Sequence, residues 1–159
     1  MGFVQSARRW LYRGKRPGSV AHVLNRVQAQ LAAHGIGPAR VVTLDVRGRR
    51  TGRTISLPVV VADYHDGRYL VSMFGDESTW VRNVRAAGGE AAIRHRTRQP
   101  VHLDEVPVDQ RPPILKRYLA VAPGARPHIP VDPTAPLSEF EHIAADYPVF
   151  QITSRVEAP

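Results

Sequence analysis

"VTLDVRGRRTGRTISLPVVV", residues 42–61, carries two alternating runs on either side of a cationic turn. Val42, Leu44 and Val46 alternate with Thr43, Asp45 and Arg47, the period-two pattern of a half-buried strand. Ile55, Leu57, Val59 and Val61 repeat that pattern after the turn. Pro58 has no N–H for a ladder, so the second strand belongs at a sheet edge or a bulge. Between the runs, residues 47–53 set Arg47, Arg49, Arg50 and Arg53 with Gly48 and Gly52 around Thr51, and no acid interrupts them.

Downstream, His65-Asp66-Gly67 reads as a hairpin turn into Tyr69, Val71 and Met73. Three strands in close succession predict an antiparallel meander. Phe74-Gly75-Asp76-Glu77-Ser78 then leads into a short helix, Thr79 to Ala87, with acids at its positive end and Gly88-Gly89 as its stop. Strands are predicted near 90–96 and 100–106, and a helix near 112–121 carries Ile114, Leu115, Tyr118 and Leu119. Five prolines in residues 123–136 make an ordered but irregular loop or lid. A helix near 137–146 and a strand from Val149 to Thr153 close the chain.

Upstream, Phe3, Ala7, Trp10 and Leu11 share a helical face, with Arg8, Arg9, Arg13, Lys15 and Arg16 around and after it. Pro17-Gly18 breaks this segment. Ser19 caps a second helix striped by Val20, Leu24, Val27 and Leu31, which Gly35 stops. The expected fold class is mainly β with peripheral helices: a helical segment over 1–37 and one antiparallel barrel unit over 38–159. Periodicity alone leaves a sandwich open.

A chain of 159 residues that is 43% hydrophobic suits one domain with one sizeable core. The absence of cysteine excludes disulfides and thiolate chemistry. No apolar run approaches the roughly 20 residues of a membrane span, and the basic N-terminus lacks a signal peptide's apolar centre. The expected location is cytoplasmic.

The net charge of +8 is uneven. Residues 1–44 hold seven Lys/Arg and no acid, residues 45–100 ten against six, and residues 101–159 five against eight. The first two thirds therefore attract anions: a phosphorylated cofactor, nucleic acid or an anionic membrane. Nucleic acid is not expected, because the strands lack clustered exposed aromatics for base stacking. The apolar side chains of residues 3–16, beside five cations, suit either peripheral contact with a membrane or packing on the barrel. Oligomeric state is left open, a dimer included. Seven histidines form no H-E-x-x-H and no close cluster, so no metal site is expected; His95 and His102 are the pair that a hairpin could set face to face.

At the cationic turn, glycines let the backbone approach a ligand, Thr51 adds a hydroxyl, and arginine forks match phosphate oxygens in pairs. It is not a P-loop, since G-x-x-x-x-G-K-[ST] is absent. The plain alternative is a solvated basic hairpin tip.

Gly48-Arg49-Arg50-Thr51-Gly52-Arg53, followed by Pro58, resembles the G-R-[KR]-[ST]-G turn of the deazaflavin (F420)-dependent nitroreductase and quinone reductase family. Phe74 to Val84 resembles that family's Gly turn leading to a W-x-x-N helix, and Pro148-Val149-Phe150 its closing strand. The likeness covers roughly residues 38–154. It implies an antiparallel split β-barrel of the FMN-binding type. It also implies an oxidoreductase that passes a hydride from reduced F420 to a quinone, enone or nitro acceptor. By the same resemblance Arg50 and Thr51, with Arg49, Gly52 and Arg53 beside them, meet the cofactor's phosphate-bearing tail. Pro58 and Val60 line the deazaflavin ring, and Met73, Phe74 and Gly75 lie along the cofactor. Trp80 and Asn83 anchor the segment that covers it. FMN in place of F420, or a carrier without catalysis, are the alternatives. A protonating side chain is not required; Tyr118 and Tyr147 are the candidates if one acts.

Overall fold

The computed structural model describes residues 40–155, so the readings for residues 1–37, the basic stretch 3–16 among them, lie outside the described residues. Seven strands form one antiparallel sheet: β1 (Val41–Arg47), β2 (Thr54–Val60), β3 (Ala62–Tyr64), β4 (Gly67–Val71), β5 (Glu90–His95), β6 (Thr97–Glu105) and β7 (Val149–Ser154). Their order is β2-β1-β5-β6-β7-β4-β3. β2 and β3 lie at opposite edges, yet only Val61 separates them in the chain. That is possible only if the sheet curls until its two edges meet. Val61 marks the bend, its N–H donating to Arg40 O at 2.7 Å. The result is the mainly β, antiparallel split barrel that the sequence led us to expect.

Two details differ from the sequence reading. The apolar run 55–61 predicts one strand of a meander, but it divides at Val61: β2 pairs with β1, while β4 pairs with β3 and β7. β6 also begins at Thr97, three residues before the expected start. Pro100 fits inside β6, opposite Ala92 of β5, because β7 pairs with β6 only from Val101 onward, so one side of the strand is free there. The β5–β6 hairpin therefore turns on Arg96 alone, at φ 71°. His102 consequently lies opposite Glu90, and His95 opposite Thr97, not opposite each other. Pro58 sits where its chemistry requires, on an edge strand, facing Thr43.

Among the described residues, three helices flank the sheet: α1 (Thr79–Ala86), α2 (Arg111–Val121) and α3 (Leu137–Ile143), the last followed by a 3-10 turn at Ala144–Asp146. Asp76 and Glu77 fall just outside α1, whose first turn holds no acid; they pair instead with Arg85 and Arg82. The buried side chains form two clusters. One fills the barrel, where Val81 and Val84 of α1 meet Leu44, Leu70, Val101 and Phe150. The other joins Leu115, Tyr118 and Leu119 of α2 to Phe140 of α3, Val149 and Ala62. Each large apolar side chain so buried contributes about 1.5–3 kcal/mol.

Candidate active site

The cationic turn is built by its own backbone. Gly48 N–H donates to Arg53 O and Gly52 N–H to Gly48 O, both at 2.8 Å. Gly48 is buried, and a Cβ there would stand 3.2 Å from Arg53 O, Ile55 Cδ1 and Thr51 Oγ1. Gly52 takes φ +70°, a left-handed conformation costly for other residues. Arg53 N–H donates to Thr51 Oγ1 at 3.3 Å. Thr51 and the arginine side chains at 47, 49, 50 and 53 face solvent.

Arg49 is tied down while its neighbours are not. Its N–H and Nη1 both donate to Asn83 Oδ1, at 3.1 and 2.9 Å. Asn83 lies on α1 and is 1% exposed, and its Nδ2 has no hydrogen-bond partner among the described residues. One buried amide thus fixes the turn to the helix. Among the described residues no carboxylate pairs with Arg47, Arg50 or Arg53, whereas Arg40, Arg82, Arg85, Arg94 and Arg111 all have acidic partners.

A second candidate feature is a cleft of about 530 Å³, lined by Met73, Phe74, Gly75, Pro127, His128, Asp146 and Tyr147. Ser72, 1% exposed, shapes one wall: its hydroxyl donates to Gly75 O at 2.7 Å, and Gly75 N–H donates to Ser72 O at 3.1 Å. Gly75 takes φ +84°, and a Cβ on it would stand 3.2 Å from Asp146 O on the other wall. Phe74 meets His128 edge to face, with ring centroids 4.7 Å apart. Tyr147 donates its hydroxyl to His128 O at 2.9 Å. Burial, and then the nearby Asp146 carboxylate, raise the Tyr147 pKa, so its proton stays on at neutral pH.

The twelve site residues suggested by the sequence divide accordingly. Arg49, Arg50, Thr51, Gly52 and Arg53 form the turn, and Asn83 holds it. Met73, Phe74 and Gly75 form one wall of the cleft. Val60 packs, with Met73 and Tyr147, against the cluster around α2 and α3, and Pro58 stands half-buried two residues before Val60. Trp80 lies in the barrel cluster, its ring centroid 5.5 Å from that of Phe150. Of the two tyrosines, Tyr118 is 5% exposed within the α2 core, where burial drives its pKa far up, and only Tyr147 reaches the cleft. Pro127, His128 and Asp146 carry no local signal, because they reach the cleft from segments far apart in the chain.

Among the described residues there is no group of three or more His, Asp or Glu that could hold a metal, and no helix long and apolar enough to cross a membrane.

A curled antiparallel barrel bearing a cationic turn and a cleft between loops defines a split-barrel protein. The sequence profile described as F420H(2)-dependent quinone reductase matches residues 19–127, more than half of the chain, and the chain belongs to that family. Comparison with curated protein sequences gives no match. Among solved structures, the protein Atu2129 from Agrobacterium tumefaciens, of unknown function, superposes with a TM-score of 0.54 at 13% identity, over 74% of this chain and 50% of its own. The chain thus spans about half the length of that protein, which supports the fold. An F420-H2 dependent reductase, FDR-A, gives a TM-score of 0.44 at 18% identity over 71% of this chain and 93% of its own. A protein of Bacteroides thetaiotaomicron described as a putative 5-nitroimidazole antibiotic resistance protein gives 0.49 at 10% identity, over 72% of each chain.

Proposed function

We infer that the chain is an F420-dependent oxidoreductase that delivers a hydride to a quinone, with enones and nitro compounds as further acceptor classes. The observation that carries the reading is the cationic turn. Arg50 and Arg53 stand free of carboxylates among the described residues, on a turn held rigid by two backbone hydrogen bonds and by Asn83. Such a turn is preorganised for an anion. Its partner is the cleft of about 530 Å³, within the usual range for small-molecule sites. The residues fit a flat ring with a polyanionic tail. Arg50, Thr51 and Arg53 would hold the tail, with Arg49 and Gly52 shaping the turn. Met73, Phe74 and Gly75, with Pro58 and Val60, would flank the ring, and Trp80 and Asn83 would support the covering segment.

When bound, the reduced deazaflavin supplies a two-electron hydride donor. The protein's share is placement. Phe74 and His128 would bring their rings, and Asp146 and Tyr147 polar groups, to a planar acceptor. Tyr147 Oη keeps its proton at neutral pH and can donate to an acceptor oxygen in exchange for its bond to His128 O.

Titration of the protein with F420 and with FMN, followed by fluorescence quenching, tests the reading. Saturable F420 binding that falls with added salt, together with steady-state quinone reduction by reduced F420, is the expected result. Tight FMN binding without F420 binding would overturn the deazaflavin assignment, and binding without turnover the enzymatic one.

A further inference from the structure

The two walls of the cleft meet where Ser72 N–H donates to Pro148 O at 2.9 Å, and a chain of charges links them a second time. Asp76 follows Gly75 directly, and its Oδ1 accepts from Arg85 Nη1 of α1 at 2.7 Å. Arg85 then grips Glu105, at the end of β6, in a two-pronged pair, Nε to Oε1 and Nη2 to Oε2, both 2.8 Å. Glu105 Oε2 also accepts from Arg111 Nη2 of α2 at 3.1 Å. Arg111 completes the chain by donating Nε to Val106 O at 2.8 Å and Nη1 to Ala144 O at 3.1 Å. Ala144 opens the 3-10 turn that carries Asp146, and Tyr147 follows it, so the line of contacts leaves one wall and arrives at the other.

The chain is graded in burial. The Asp76 side chain is 60% exposed and that of Arg111 6%. A guanidinium this deeply buried is costly unless its N–H groups find acceptors, and here all three of its nitrogens donate. An arginine has the planar fork that reaches the Glu105 carboxylate and the Val106 and Ala144 carbonyls, on two different segments, at once. A lysine would reach one or two of them. An apolar residue would fill the same space, yet this site spends a buried charge on tying segments together.

We propose that Arg111 is a positioning residue. Through Glu105, Arg85 and Asp76 it forms a clasp that sets the gap between the Met73–Gly75 wall and the Asp146–Tyr147 wall, and with it the fit of the flat ring. The proposal rests on reading the cleft as the redox site. It assigns these four charges a task in binding although none of them lines the cleft.

The test uses Asp76→Asn, Arg111→Lys and the double variant in the full chain. Asp76 is largely exposed, so Asp76→Asn should leave the melting temperature unchanged. Each single variant is expected to weaken F420 binding roughly threefold to tenfold. The double variant should be no weaker than the worse single one, because both cut the same chain. Amide hydrogen exchange without ligand gives an independent readout: Asp76→Asn should speed exchange at Asp146 and Tyr147, on the opposite wall. Unchanged exchange at those two amides, or losses of affinity that multiply in the double variant, would overturn the clasp. If the unmodified protein binds neither F420 nor FMN, the redox reading falls, and the exchange data alone decide the clasp.

Discussion

The cationic turn and the cleft are made in opposite ways. The turn is local: residues 47–53 fold back on themselves through two 2.8 Å backbone bonds and lean on the rest of the protein chiefly through Asn83. The cleft is assembled from residues 73–75, 127–128 and 146–147, which meet only because the sheet curls and α2 and α3 pack against it. A local element keeps its shape when distant packing fails, because its closing bonds span few residues. An assembled one inherits the stability of everything between its parts. Charge selection on the turn and shape selection in the cleft should therefore fail separately.

The largest expected effect follows from emptying the core that supports the cleft. Phe140 of α3 is 0% exposed, packed in one cluster with Leu115 and Leu119 of α2, and Phe140→Ala should cost about 3–5 kcal/mol in urea unfolding. Short of global unfolding, exchange should rise first around Asp146 and Tyr147 and last in β1 and β2. Equal loosening of the turn would break the contrast. Next comes Arg50→Ala, which removes from the solvent-facing side of the turn a guanidinium with no carboxylate partner among the described residues. A charge-assisted hydrogen bond is worth about 1.5–3 kcal/mol, so F420 affinity should fall by about tenfold or more with the urea midpoint unchanged. Unchanged affinity would remove Arg50 from the anion site. Asn83→Ala should act more weakly. It strips the acceptor from Arg49 N–H and Nη1, but it also removes the unsatisfied Nδ2, so a net loss of about 1 kcal/mol is expected. Faster exchange confined to the turn would confirm that this amide is its anchor.

This difference also sets what the sequence could disclose. β1, the turn and the position of Pro58 on an edge strand were readable because alternation, glycines and a missing N–H act within a few residues. The helix Thr79–Ala86 and its glycine stop were readable for the same reason. The bend at Val61 was not, since Val59, Val60 and Val61 offer uniform apolar character, and only the closure of the barrel decides which edge each residue joins. Likewise, the proline-rich stretch 123–136 announced irregular backbone but not that Pro127 and His128 would face Phe74 and Tyr147. Nothing within a few residues of Arg85 in the sequence singles it out. Its role in linking Asp76 to Glu105 depends on β6 ending beside α1, a fact of topology.

The smallest effect concerns a charge that bridges the two regions. Asp63 on β3 pairs with Arg40, just ahead of β1, and with Arg117 of α2, whose Nη2 lies 3.2 and 3.3 Å from its two oxygens while its Nε donates to Asp63 O at 3.0 Å. One carboxylate thus links the strand that leads to the turn with the helix that supports the cleft. The hydrogen bond from Arg40, reinforced by Arg117, holds the Asp63 pKa down from the ordinary 3.8 to about 2. A carboxylate whose folded pKa is depressed stabilises the fold above its unfolded value, and that contribution disappears as pH falls through the folded one. The window is therefore pH 3.8 down to about 2. Because the Asp63 side chain is 54% exposed, the loss should be less than about 1 kcal/mol and smaller still at high salt. Urea unfolding at low salt should show a shallower fall with acid in Asp63→Asn than in the unmodified protein. Indistinguishable acid slopes would mean that Asp63 lends no stability to the barrel's closure.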